Sequence, residues 1–361
     1  MVSLNKEDDR RALEIHKNAF VADLHSDLQI DLVTRRALGE KKILERIHLQ
    51  NLREGGVDFI ILSTISKYSY SHYPYYQTPY KCALDMIDTV YQEQDESPDN
   101  FQVVTDARSL EDARRNGRIG LLLGMEGAEP IELDLGLLRC FYKLGVRLIQ
   151  PNWHQRNLIA DGGLETSNAG FSNFGREAVK EMERLGMIMD ISHLGENAFW
   201  ELFELTERPI IASHANAKTI HDHPRNLTDD QIESIAKRGG IIGSVFISRF
   251  TGTPDSAIDE LMKHVNHVEK LVGVDHMGIG PDWIDYAKDL LYVGSYDVLP
   301  PGFLPKREDF MIRNNYVRDL ETVRQLPNLT KALVAHGYSE GDIRKILGEN
   351  FVRFFKEFIG R

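Results

Sequence analysis

Eight short apolar runs recur along this chain, at 20–27, 57–65, 120–127, 146–153, 186–194, 209–216, 240–247 and 277–283. Each is nearly continuous in Ile, Leu, Val and Met rather than alternating with polar residues, the pattern of strands buried on both faces of a parallel sheet. Longer segments with helical spacing separate them, and parallel neighbours require such crossovers. Strand and helix alternating about eight times leave few architectures open. The expectation is an α/β fold, a (β/α)8 TIM barrel with insertions, formed by residues 1–361 as one domain. The opening "MVSLNKEDDRRALEIHKNAF" reads as an N-terminal amphipathic helix, and "ENFVRFFKEFIGR" as a short final helix. Residues 67–79, "KYSYSHYPYYQTP", are too aromatic and too broken for either element and read as a long loop over the barrel mouth.

Composition narrows the partners. The 361 residues are 42% hydrophobic and 27% charged, enough to bury a large core. A net charge of −12 with no basic stripe argues against nucleic acid. No apolar run is long enough for a spanning helix, so no membrane partner is expected. Cys82 and Cys140 stand in no metal or disulfide motif and read as reduced core residues, which fits a cytoplasmic chain. The oligomeric state stays open, a homodimer included.

Chemically capable residues fall at the C-terminal ends of the runs. His25 and Asp27 close the first in "VADLHSD", and side chains two apart on a strand point the same way. Glu126 closes the third, His193 the fifth, His214 the sixth and Asp282 the eighth. In a barrel those ends share one face, the face on which active sites are built. Each residue alone has an ordinary reading, a strand-end histidine satisfied by a neighbour or a solvated carboxylate. Five metal-capable side chains at one end of one barrel have no such reading in common. Three histidines and two carboxylates make a nitrogen and oxygen donor set suited to zinc or a similar divalent ion. Five donors exceed one open tetrahedral site and suit two ions bridged by a carboxylate. His264 and His267, by contrast, read as ordinary helix residues, and His221 and His223 as residues shaping the loop around Arg225.

The ordered set of His25-x-Asp27, "GMEG", "DISHLG", "SHAN", "HPRNLTDDQI" and "GIGPDW" resembles the renal or membrane dipeptidase family of metallopeptidases, within the metal-dependent hydrolase superfamily. The resemblance runs from the first strand to the last. It implies a zinc-dependent hydrolase with two Zn2+ per chain, His25 and Asp27 holding one, His193 and His214 the other, and Glu126 bridging them. It further implies that Arg225 binds the carboxylate of a small dipeptide-like substrate, for which a guanidinium fork is well shaped. Asp282 would contact the substrate amine or carry a proton to the leaving nitrogen.

Two positions depart from the family pattern. Counting back from Asp161, Trp153 stands where a histidine is common, with His154 one residue later, and both are candidate substrate-binding residues. Ile284 stands where a second aspartate is common. The alternatives are a relative that keeps its metals for another peptide-derived metabolite, and a non-catalytic metal-binding barrel.

Overall fold

The computed structural model describes residues 4–64, 78–253, 255–283 and 316–359. Its strands are β1 (Val21–Ser26), β2 (Val57–Thr64), β3 (Phe101–Val103), β4 (Ile119–Glu126), β5 (Val146–Gln150), β6 (Ile188–Met189), β7 (Ile211–Ala212), β8 (Ile241–Ser244) and β9 (Met277–Ile279). They pair in the order β6, β5, β4, β2, β1, β9, β8, β7, all parallel, with β3 added outside on β4. A parallel bridge from Asp190 to Ile211 joins the two ends of that row, so eight strands form a nearly closed (β/α)8 barrel.

Strand alternation sorts the core into two shells. Ala22, Leu24, Phe59, Ile61, Leu122, Leu148, Ile188, Ile211 and Ile241 fill the barrel interior. Alternate residues such as Val21, Ile60, Leu62, Leu121, Leu123 and Ile149 face the helices outside. The final helix, Asn350–Ile359, contributes Phe351, Phe354, Phe355 and Phe358 to the inner shell, where they pack with Phe20 and Phe59. It therefore plugs the N-terminal end of the barrel and leaves the other end for chemistry. The first helix, Lys6–Asn18, forms as expected: Asn5 caps it by accepting the N–H groups of Glu7 and Asp8, and acidic residues fill its first turn.

The structure differs from the sequence expectation in three respects. The strand Phe101–Val103 was not expected, being only three residues long. The fifth and sixth runs are strand over two residues each, because the N–H groups of Ser192 and Ser213 are taken by the Asp190 carboxylate instead of a ladder. Cys82 is buried, but Cys140 is exposed on the outer side of the helix Leu135–Lys143, so only one of the two free thiols is a core residue. Of the expected loop at 67–79, residues 67–77 lie outside the described residues, and Pro79 already opens the helix Pro79–Glu96. Ile284 also lies outside them. Among the described residues no helix is long and apolar enough to cross a membrane.

Phe355 is fully buried, with its ring centroid 5.7 Å from that of Phe351 and 6.3 Å from that of Phe59. Phe355→Ala should cost about 3–5 kcal/mol of unfolding free energy, the usual range for emptying an aromatic site. Denaturant unfolding checks this. Because the plug is at the far end from the site, metal content of the folded variant should stay at the wild-type level.

Candidate metal centre

Six side chains from five strand ends meet at the C-terminal mouth. His25 is the penultimate residue of β1, and Asp27 follows the strand as the residue before the helix Leu28–Ala37. Glu126 ends β4. His193 and His214 lie just beyond β6 and β7, and Asp282 lies beyond β9. His25 Nε2 is 3.5 Å from Asp27 Oδ1, 3.5 Å from Glu126 Oε1 and 3.6 Å from Asp282 Oδ1. His193 Nε2 is 2.7 Å from Glu126 Oε1 and 2.9 Å from His214 Nε2. The rings of His25 and His214 stack at 3.7 Å. The structure thus brings together all six residues that the sequence pointed to.

Local sequence explains the placement. Gly243 and Gly280 let β8 and the turn after β9 press on Ser213, since a Cβ at either would lie about 2 Å from the Ser213 carbonyl oxygen (2.0 and 1.9 Å). Asp282 adopts left-handed backbone, φ 61°, a conformation aspartate tolerates better than most residues. The Tyr316 hydroxyl donates to its carbonyl at 2.9 Å, and the neighbouring Trp283 Nε1–H donates to the Leu320 carbonyl at 2.9 Å. These bonds from outside the barrel hold the turn that aims the carboxylate inward.

Whether these residues fit a cation can be judged from their unused valences. His25 Nε2, Asp27 Oδ1 and Glu126 Oε2 are buried with no hydrogen-bond partner, which is costly unless something positive lies between them. Two clusters have donor atoms mutually within 4.8 Å: His25, Glu126 and His214, and His25, Asp27 and Asp282. Ser63 Oγ lies 3.0 Å from His25 Nδ1 and Ser213 Oγ 2.8 Å from His214 Nδ1, so in both rings the nitrogen away from the centre is engaged and Nε2 faces inward. The site fits a divalent cation.

Electrostatics agree. Burial pushes Glu126 well above the usual carboxylate range and Asp282 up to about 7. For His25 burial acts downward, but Glu126, Asp27 and Asp282 outweigh it and raise the ring to about 10. His193 and His214 are held well below the usual imidazole range, by burial first and then by nearby positive charge. Arg225 is buried, with Nη2 3.3 Å from His193 Nε2 and donating to the His214 carbonyl at 3.4 Å, and burial lowers its guanidinium to about 10. His223 Nδ1 accepts the Arg225 N–H at 3.1 Å and His221 Nε2 meets the Arg249 carbonyl at 3.1 Å, so both histidines shape that loop as expected. His264 and His267 lie apart from the centre: His264 is tied to Ala217 N–H and the Thr251 carbonyl, and His267 to Asp229.

The structure places the two substrate-side candidates differently from one another. His154 Nδ1 is 3.2 Å from His193 Nδ1, on the side of that ring away from Glu126. Trp153 is nearly buried, its ring 4.2 Å from that of His154 and 6.3 Å from that of His193. The sequence reading did not single out Asp23, whose buried carboxylate accepts the His25 N–H at 3.0 Å. The aspartate two residues before the histidine was the available signal.

A parallel eight-stranded barrel with inward nitrogen and oxygen donors at its C-terminal mouth defines a barrel built around a divalent cation. The family model of membrane dipeptidases (peptidase family M19) matches residues 9–299 and 308–359, and the chain belongs to that family. It is 28% identical to an uncharacterized dipeptidase of Schizosaccharomyces pombe, across 96% of this chain and 82% of that protein. Among solved structures it is similar to the probable dipeptidase PvdM from Pseudomonas aeruginosa (TM-score 0.82, 19% identity, 99% of this chain and 100% of that one). It is also similar to a metallopeptidase from Rhodobacter sphaeroides liganded with a phosphinate mimic of the dipeptide L-Ala-D-Ala (TM-score 0.79, 23% identity, 94% and 99%).

Protons on His25, Glu126 and Asp282 compete with a cation for the same atoms. Metal content after equilibration should therefore fall as pH is lowered through about 7, where Asp282 takes up its proton. Glu126→Ala, which removes a carboxylate near all three imidazoles, should lose metal even at the higher pH. Elemental analysis reads both, and undiminished metal in Glu126→Ala would show that Glu126 is not a ligand.

Proposed function

We propose that this chain is a zinc dipeptidase, hydrolysing the amide bond of dipeptides or dipeptide-like small molecules with two Zn2+ per chain, the barrel of residues 1–361 acting as one catalytic unit. Membership in the dipeptidase family supports it, as does the relative that bears the name dipeptidase. The observation that carries it is the set of buried, unpartnered acceptor atoms on His25, Asp27 and Glu126, aimed at one another across the barrel mouth. In this reading His25 and Asp27 hold one ion, His193 and His214 the other, and Glu126 lies between. The free thiols of Cys82 and Cys140 support a cytoplasmic setting.

Bound divalent ions would supply a water acidified to a pKa near ~7 and polarisation of the scissile carbonyl. The chain's own residues do the rest. Arg225, a buried cation beside His193, binds the C-terminal carboxylate of the substrate and so orients the amide. Asp282 carries a proton to the leaving nitrogen, a task suited to a carboxyl that burial holds near neutrality. Trp153 and His154 wall the site beside His193, with His154 holding that ring from behind.

Arg225→Ala should raise KM for a free-carboxylate dipeptide far more than for its C-terminal amide, since only the carboxylate uses the charge-assisted pair. Asp282→Asn should lower kcat steeply with little change in KM. Equal losses on both substrates in the first variant, or an unchanged kcat in the second, would reassign the roles. For the wall residues, His154→Ala should lower kcat about 10- to 100-fold, as loss of a residue supporting a ligand does, while Trp153→His should change substrate preference with a smaller effect on kcat. A dipeptide panel with L- and D-residues at the second position separates the two effects.

A further inference from the structure

The weakest seam of the barrel carries two of its three inward imidazoles. β6 and β7 are two residues long, and the Asp190 to Ile211 bridge joins them. His193 and His214 follow within four residues. Backbone pairing this sparse cannot by itself hold two rings to the tolerance a metal requires.

Side chains take over the work. Asp190 is fully buried, and its Oδ1 accepts three hydrogen bonds: from Ser192 N–H at 3.1 Å, from the Ser192 hydroxyl at 2.6 Å and, across the seam, from Ser213 N–H at 3.0 Å. Ser192 Oγ in turn accepts the His214 N–H at 3.1 Å and lies 3.1 Å from Ser213 Oγ. Ser213 Oγ lies 2.8 Å from His214 Nδ1.

The direction of every bond in this chain follows from its end. At that end the Ser192 hydroxyl donates to Asp190 Oδ1. With its one proton used, Ser192 Oγ must accept from the Ser213 hydroxyl. Ser213, its proton used likewise, must accept from Nδ1–H of His214. The proton of neutral His214 is therefore on Nδ1, and the lone pair on Nε2 points into the centre. Asp190, Ser192, Ser213 and His214 are all buried, so solvent offers no competing partners. Asp190 belongs to neither donor cluster.

We propose that Asp190 is a positioning residue: through Ser192 and Ser213 it fixes the tautomer and direction of His214, and it thereby sets the affinity of the metal position formed by His214 and His193. The inference rests on the metal reading above but concerns residues that would touch neither metal nor substrate. The same device recurs at the other seam with a single paired position, β1 with β9, where the paired residue is again an aspartate, Asp23, and its carboxylate again accepts the N–H two residues on, at His25.

The test uses the full chain titrated with cobalt(II) ions, read by visible absorption and by chelator competition. Ser213→Ala, which removes the acceptor for His214 Nδ1, should weaken one cobalt position about 10- to 100-fold and alter its spectrum, leaving the other position at wild-type affinity. Asp190→Ala should do the same. Asp190→Asn keeps an acceptor oxygen and should restore binding to within a few-fold of wild type, a rescue that a requirement for charge would not give. If Asp190→Ala does not fold, the Ser213→Ala and Asp190→Asn pair decides. Wild-type cobalt affinity and spectrum in Ser213→Ala, or a loss in Asp190→Asn equal to that in Ser213→Ala, would overturn the proposal. Should wild-type protein take up no cobalt, the metal reading fails, and the long-range proton–nitrogen NMR spectrum of His214 still decides this inference: protonation on Nδ1 upholds it and protonation on Nε2 overturns it.

Discussion

The barrel mouth holds acceptors facing acceptors. His25 Nε2 with three carboxylate oxygens at 3.5–3.6 Å, and His193 Nε2 with His214 Nε2 at 2.9 Å, would repel or lose hydration if nothing positive stood between them. Protons relieve this in the absence of a cation, which is why burial drives Glu126 and Asp282 upward and why their negative charge holds His25 protonated to about 10. A divalent ion relieves it better, by taking the lone pairs themselves. Much of the remaining architecture can be understood as the means of keeping these groups from moving apart. The inner shell, closed below by the phenylalanines of the final helix, makes the strands too rigid to splay.

Rigidity has to reach past the strands, because the donors stand at or beyond their ends. Asp27, His193, His214 and Asp282 all lie outside regular ladder pairing. His214 and Asp282 are held by specific substitutes. The Ser213 carbonyl is pressed by the backbones of Gly243 and Gly280, a closeness only glycine permits, and Tyr316 and Trp283 pin the left-handed turn at Asp282. Regular strands deliver the chain to the mouth, and side-chain bonds then aim it.

This division explains what the sequence could tell. The barrel was legible because buried parallel strands leave unbroken apolar runs, and the donors because His25, Glu126, His193, His214 and Asp282 each stand where such a run stops. Phe101–Val103 was not legible, since three residues carry no period. Neither were the true ends of β6 and β7: "MIMDISH" and "IIASHAN" look like strands throughout, and only the tertiary bonds of Asp190 to Ser192 and Ser213 cut them short. Trp153 and His154 show another limit. Counting along the chain aligned Trp153 with the family's histidine, whereas in space His154 Nδ1 lies 3.2 Å from His193 Nδ1 and the Trp153 ring lies 4.2 Å from that of His154.

The charges of the centre also bear on how many ions it takes. Asp27, Glu126 and Asp282 carry three negative charges once their protons are displaced, and buried Arg225 returns one positive charge. Asp23 drops out of the count near neutrality because burial raises it to about 8. One divalent ion would leave the site neutral, and a substrate bringing its own carboxylate would then add uncompensated negative charge in a buried space, with more to come as the scissile carbonyl oxygen gains charge. Two divalent ions leave an excess of two positive charges, enough to take both the substrate carboxylate and the charge that develops on that oxygen. In a low-dielectric pocket this difference acts on the transition state more than on the resting protein, so under the two-ion proposal the carboxylates would neutralise most of the ions' charge and leave the remainder for the substrate.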